Sequence, residues 1–367
     1  MAVTYHNNGI KTRPTFVIGP SSCLGPLAAT RRLWHDAPMA KHAISHHRAV
    51  IGDLPMHWVE QGEGPAIVLC HGFPHFWLSW RHQIPALADA GWRVIAPDMR
   101  GMGQTGAPAD HRLYDTDHIT ADLTGLLDHL GIERAVFGGL DFGIFAIYDL
   151  AYRHPDRVRA ILALENPAYP DTPEKAPLTE AAEWAQDHFV HIDYFRPVGP
   201  ADADLDAAPR EFLHKVLYAL SGDYHYLDVW KHPPGTTYID ALPDAPPLPW
   251  DWLQTWELEW YVAEYSRSGF TGGLNWYRAM DLRWEQRAAW RHDPNPVPFY
   301  FIGSENDVDL EAWHGDDPIG AIKEQYEHVR RVEMLPKAGH LIQLERAADV
   351  TRLWLEFLDD IARRERD

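Results

Sequence analysis

Four short apolar runs, "PAIVLC", "WRVIAPD", "RAVFGGL" and "VRAILALE", alternate with three amphipathic stretches between residues 65 and 165. The stretches "SWRHQIPALADAG", "DHITADLTGLLDHLG" and "FGIFAIYDLAYRHP" read as helices, and the first two close on glycines, Gly91 and Gly131. Strands this apolar have no face to offer water. Each followed by a helix, they predict a parallel sheet covered by helices on both faces. A hairpin leads in, with "HRAVIG" and "MHWVEQG" joined through "DLP".

The alternation stops near Pro167 and resumes near residue 293. There "PVPFYFIG", "AIKEQYEHVR", "RRVEMLP" and "DVTRLWLEFLDDIA" read as strand, helix, strand and helix. The interval holds nine of the sixteen tryptophans, and segments such as "PPLPWDWLQTWELEW" are too broken by proline for a sheet strand. Helices are expected at "APREFLHKVLYAL", "LEWYVAEYSRSG" and "GGLNWYRAMDLRWEQ". One α/β core over 46–167 and 293–367, interrupted by a helical lid over 168–292, fits better than two tandem domains. Residues 1–45 read as an irregular N-terminal arm without the apolar stretch of a secretory signal, although a divergent export signal stays open.

Thirty-three basic against fifty-three acidic side chains leave a net charge of −20. That balance disfavours nucleic acid and anionic membrane surfaces as partners. No run approaches the roughly 18 apolar residues that span a bilayer. Two cysteines, Cys23 and Cys70, make no disulfide framework, and Cys70 at the end of an apolar run reads as a small buried hydrophobe. A reducing cytoplasm is the expected compartment.

Gly139-Leu140-Asp141-Phe142-Gly143 sets a carboxylate where a strand turns sharply into a helix, with small residues two positions to either side. This is the spacing of a nucleophile elbow. A carboxylate, with an ordinary pKa of about 4, needs no base to ionise it. It attacks an electrophilic carbon directly and forms an ester. Taken alone, Asp141 reads equally well as a cap on the following helix. Other motifs shift that balance. "HGFP", His71 to Pro74, follows the "PAIVLC" strand and sets the Phe73 N–H beside that of Phe142 as an oxyanion hole. "GHLIQLERAADV" puts His340 behind a glycine after the final strand, and "DMRGMGQTGAP", residues 98–108, completes the set.

In this order the motifs resemble the epoxide-hydrolase branch of the α/β-hydrolase fold, over roughly Ser45 to Leu358. The resemblance implies a mostly parallel eight-stranded sheet with helices on both faces and an inserted helical lid. It also implies roles. Asp141 opens an epoxide and becomes an alkyl ester, and His340 activates the water that attacks the ester carbonyl. The family usually supplies two lid tyrosines to protonate the epoxide oxygen. "SGFTGGLNWYRAM" matches the region of the second, which is Tyr277. "HIDYFRPVGP" aligns Tyr194 and Phe195 with the later pair of a Tyr-x-x-Tyr-Phe pattern, so His191 falls on the catalytic position. That departure resembles the bacterial epoxide hydrolases related to the cystic-fibrosis channel inhibitory factor, and Tyr194 is the substitute donor in another register. Two carboxylates compete to orient His340. Asp307, in "GSENDVD", sits at the usual family position. Glu165, in "LALENP", sits at the position used by haloalkane dehalogenases and the inhibitory-factor relatives. The His191 match tilts the reading to Glu165.

Trp77, Trp276 and Tyr194, with Phe73 and Phe142, are expected to line an apolar pocket, which points to a hydrophobic epoxide as substrate. A homodimer stays open. Dehalogenation by the same aspartate is the nearest rival, but the residues after the nucleophile and after His-Gly are phenylalanines, which offer no N–H to a halide. "DFGIF" also lacks the arginines with which haloacetate dehalogenases hold a carboxylate. A non-catalytic binding member of the same fold is the third reading. No metal or dinucleotide is implied, since His46 and His47 lack ligand spacing and no G-x-G-x-x-G follows a strand.

Overall fold

The computed structural model describes residues 43–170, 174–291, 293–314 and 317–366. Cys23 and all but the last three residues of the expected arm lie outside them. The sheet is built from β1 (Ser45–Ile51), β2 (Leu54–Gln61), β3 (Ala66–Cys70), β4 (Arg93–Pro97), β5 (Ala135–Gly139), β6 (Val158–Leu164), β7 (Phe299–Ser304) and β8 (Val329–Leu335). These eight strands lie in the order β1-β2-β4-β3-β5-β6-β7-β8. β1 and β2 form the expected hairpin, β2 runs antiparallel to β4, and every other pairing is parallel. All residues of β3 and β5 are buried, which is why their sequences lack polar alternation. Cys70 is a free, buried thiol at the end of β3.

Helices α1 (Gln83–Asp89), α2 (Thr116–His129) and α3 (Phe142–Arg153) connect the central strands. The chain steps one way across the sheet from β3 to β4 and the other way from β4 to β5 to β6. Right-handed crossovers therefore put α1 on one face and α2 and α3 on the other.

Between β6 and β7 the described residues are helical or irregular. They form α4 (Pro177–Trp184), α5 (His191–Phe195), α6 (Pro200–Ala207), α7 (Pro209–Ala219), α8 (Tyr238–Ala241), α9 (Thr255–Ser268), α10 (Thr271–Arg278) and α11 (Met280–Arg287). The sequence pattern anticipates α7, α9 and the α10–α11 stretch, the last as one helix rather than two. It misses α4, α5, α6 and α8, which are too short to show a 3.6-residue period. The core then completes with α12 (Val308–Trp313), α13 (Pro318–Gln325), α14 (Ile342–Glu345) and α15 (Ala347–Arg364). α15 packs against α1, as α2 does against α3. No helix among the described residues is long and apolar enough to cross a membrane.

The 98–108 motif is a structural knot. The fully buried Asp98 accepts the backbone N–H groups of Trp77 and Gln104, each at 2.8 Å, and pairs with His57 Nδ1 at 2.7 Å. A Cβ on Gly103 would sit 2.3 Å from the Asp98 carboxyl carbon, so only glycine lets the loop wrap that closely.

Candidate active site

Asp141 sits on the elbow between β5 and α3 with φ 55° and ψ −134°, a left-handed conformation unusual for any residue but glycine. Such strain costs on the order of 1–3 kcal/mol and persists only where the surroundings enforce it. The enforcement is steric, since a Cβ on Gly143 would lie 2.2 Å from the Cys70 carbonyl oxygen. A Cβ on Gly72 would lie 1.8 Å from Asp141 Oδ1, so that glycine keeps the space the carboxylate occupies. The Phe73 N–H donates to Oδ1 at 2.8 Å, and the Asp141 N–H donates to Asn166 Oδ1 at 3.2 Å.

His340 follows β8 and is pinned through its backbone N–H to the Leu220 carbonyl of the lid at 2.9 Å. Its Nε2 lies 3.7 Å from Asp141 Oδ2. Its Nδ1 is 2.6 Å from Asp307 Oδ2, while Oδ1 of Asp307 caps α12 by accepting the Leu310 N–H at 2.8 Å. Burial opposes charge on the imidazole. The Asp307 charge and the bonds to Asp141 and Asp307 outweigh it and hold the His340 pKa well above its usual value.

This geometry corrects the preference for Glu165. That side chain is fully buried at the end of β6, and its Oε2 accepts the Ser304 N–H at 2.9 Å. It makes no hydrogen bond to His340 among the described residues. Burial, reinforced by the neighbouring Asp307 charge, pushes its pKa well above the ordinary carboxylate value.

Over the elbow, α10 presses directly on the core, because a Cβ on Gly273 would lie 2.2 Å from the Phe73 ring. Tyr277 is four residues on and shares that helical face. Its ring stands edge-on to Phe142, with centroids 4.6 Å apart, and its hydroxyl makes no hydrogen bond among the described residues. Burial, with the Asp141 charge, raises the phenol pKa far above its usual value and keeps the proton on it.

His191 opens α5 with its ring 5.8 Å from that of Tyr277. The Trp230 indole N–H donates to His191 Nδ1 at 3.2 Å, and the Tyr226 hydroxyl lies at the same distance. Indole nitrogen only donates, so Nδ1 carries no proton and the neutral ring keeps its N–H at Nε2. Burial lowers the His191 pKa to about 4, so the ring is neutral near pH 7.

Asp141, His191, Tyr277 and Asp309 share a cavity, with Phe145, Trp230, Met280 and Trp313 among its walls. Three expected lining residues lie elsewhere. Trp77 is buried in the core, held by its backbone bond to Asp98 and edge-on to Trp260. Trp276 turns its indole N–H to the Arg100 carbonyl at 2.8 Å and stacks on Phe142, one helical step round from Tyr277. The Tyr194 hydroxyl reaches Asp204 instead of the cavity. Two residues of the site were not anticipated, Asn166 and Asp309. Both lie just past the ends of parallel strands, where open α/β sheets bind ligands, and that position was the available signal.

The sequence pattern of the α/β-hydrolase fold matches residues 65–189. Epoxide hydrolase A of Mycobacterium tuberculosis is 41% identical over 305 residues, which cover 82% of this chain and 92% of that one. The chain belongs to the epoxide-hydrolase family of the α/β-hydrolase fold. The crystal structure of epoxide hydrolase A from Mycobacterium thermoresistibile superposes with a TM-score of 0.79 at 39% identity, covering 86% of this chain and 98% of that one. An epoxide hydrolase from an endophytic Streptomyces gives a TM-score of 0.82 at 35% identity, covering 87% and 96%. Within this family member, the Asp141 carboxylate, the His340 and His191 imidazoles and the Tyr277 phenol line one pocket.

Proposed function

We propose that this chain hydrolyses an epoxide to a vicinal diol through a covalent ester on Asp141. The observation that carries the reading is the unequal treatment of the two carboxylate oxygens. Oδ1 is held by the Phe73 N–H, and Oδ2 is left 3.7 Å from His340. Oδ2 attacks a ring carbon, the carbon–oxygen bond of the oxirane breaks, and the departing oxygen takes a proton from Tyr277 Oη or His191 Nε2. Oδ1 is then the ester carbonyl oxygen, already on the donor it needs.

In the second step His340 Nε2 takes a proton from water, which attacks Cγ of Asp141. The N–H groups of Phe73 and Phe142 stabilise the resulting oxyanion, and one such donor is typically worth about 10²–10³ in rate. The acyl–oxygen bond breaks, the imidazolium protonates the leaving alkoxide, the proton left on the Asp141 carboxyl passes through solvent to restore Tyr277 Oη or His191 Nε2, and the diol leaves. Asp307 holds the imidazole in the tautomer that leaves Nε2 free to accept.

A halide site is disfavoured by the same contacts. The indole N–H groups of Trp276 and Trp230 are spent on the Arg100 carbonyl and on His191. One turnover in ¹⁸O-water with enzyme in excess tests the proposal. Label is expected in the Asp141 carboxylate, and diol formed without label in Asp141 refutes the ester.

A further inference from the structure

Asp309 is a carboxylate that neither step of the proposed reaction uses. It lies at the start of α12, two residues after Asp307, and about one-fifth of its side chain is exposed, toward the cavity it lines. Asn166 Nδ2 donates to Oδ2. Nδ1 of His340 is 4.0 Å away and already engaged by Asp307. Oδ1 has no hydrogen-bond partner among the described residues. Ligand atoms of Asp141, Asp309 and His340 lie within 4.8 Å of one another, so Asp309 stands beside the carbon that Asp141 attacks. Burial lifts its pKa to about 6, restrained by the His340 charge, and it remains ionised at neutral pH.

A carboxylate oxygen facing a purely hydrocarbon substrate would be desolvated with nothing in return. The neighbouring walls, including Phe142, Phe145, Val308 and Met280, take apolar groups. Arg283 and Arg287 also line the cavity, with guanidinium groups engaged by the Tyr114 and Trp276 carbonyls and by Asp149. A neutral donor close to the oxirane suits both the unpaired oxygen and these apolar walls.

We infer that Asp309 is a specificity residue that accepts a hydrogen bond from a hydroxyl on the carbon next to the oxirane, so that the favoured substrates are 2,3-epoxy alcohols with an apolar tail. This rests on the epoxide-hydrolysis reading and narrows its substrate class. A site built to pair a substrate hydroxyl discriminates against the analogue lacking it, because its own polar group is then left unpaired.

The experiment compares kcat/KM for 3-phenylglycidol and for 1-phenyl-1,2-epoxypropane, which has the same carbon skeleton without the hydroxyl. The wild type is expected to favour the alcohol roughly tenfold to a hundredfold, the range of a hydrogen bond to a charged acceptor. In Asp309→Val that ratio is expected to fall by tenfold or more, toward the intrinsic reactivity ratio of the two epoxides. The near-isosteric Asp309→Asn supplies the same comparison and is expected to give an intermediate ratio. Because the ratio is compared between proteins, the intrinsic reactivity of the two epoxides cancels. A ratio that changes less than twofold between the wild type and Asp309→Val overturns the inference, as does a preference that survives either substitution intact. In those cases diol still forms and the epoxide-hydrolysis reading stands. If the wild type opens neither epoxide, both fall together.

Discussion

Asp307 and His340 are joined by a 2.6 Å hydrogen bond, and the same carboxylate caps α12 through its other oxygen. The Asp307 carboxylate is therefore fixed at both ends, by a helix and by an imidazole. Asp307→Asn is expected to slow ester hydrolysis by up to about 10⁴, the loss seen when a triad acid no longer enforces the tautomer. Glu165→Gln keeps an acceptor for the Ser304 N–H and should change that step only a few-fold. Single-turnover deacylation rates for the two variants check the assignment, and a larger loss in Glu165→Gln reverses it.

Removing the base should separate the two chemical steps. His340→Gln mixed with an epoxide is expected to accumulate an adduct of substrate mass on Asp141, with turnover reduced at least about 10³-fold. Intact-protein mass spectrometry followed by peptide mapping reads the outcome. Tight retention of unmodified epoxide, with no adduct, would favour a binding protein.

Tyr277→Phe leaves the packing against Phe142 and removes only the hydroxyl. The alkylation rate should fall by roughly 10²-fold, as for loss of a general acid, while the hydrolysis of preformed ester changes little. Pre-steady-state bursts separate the two rates. An undiminished burst removes Tyr277 from the mechanism.

The pH dependence follows from what alkylation does to charge. In the free protein the Asp307 and Asp141 carboxylates overcome burial and hold the His340 pKa well above the ordinary value. Esterification removes the Asp141 charge, so the imidazole pKa must drop in the intermediate. Neutral imidazole is the active base, so deacylation should be fast above that lower pKa and fail as pH falls through it. The apparent pKa of single-turnover deacylation should lie below the His340 pKa of the resting protein measured by NMR. Equal values would contradict this account.

Stability rests in part on a polar cluster beneath the lid. Asp149 is fully buried and accepts from Arg287 Nε at 2.9 Å, the Tyr169 hydroxyl at 2.6 Å and the Thr116 hydroxyl at 3.0 Å. Asp149→Ala strips Arg287, Thr116 and the half-buried Tyr169 of this acceptor and should cost about 3–5 kcal/mol, the range for breaking one side of a buried ion pair. Urea denaturation gives the measurement.

The lid shows where sequence periodicity ran out. His191 and Tyr277 each stand in a recognisable string and both line the cavity, whereas Trp276, the neighbour of Tyr277 expected on the same wall, does not. Successive residues on a helix differ by about 100° in direction, and here that step turns the Trp276 indole away from the cavity and toward the Arg100 carbonyl. Tyr194 failed for a related reason, because its hydroxyl found a carboxylate on another lid helix, Asp204 on α6.

The sequence by itself determined the parallel sheet, the interruption by a lid, and the aspartate at the elbow. These follow from local facts, namely apolar runs without polar alternation and small residues at 139 and 143 where the turn admits nothing larger. Which acid faces His340, which nitrogen of His191 keeps the proton, and that Asp309 enters the site were decided only by the tertiary structure. Each depends on the direction of a side chain relative to a group more than twenty residues away, and that direction is set by strand register and helical phase together, which no local pattern encodes.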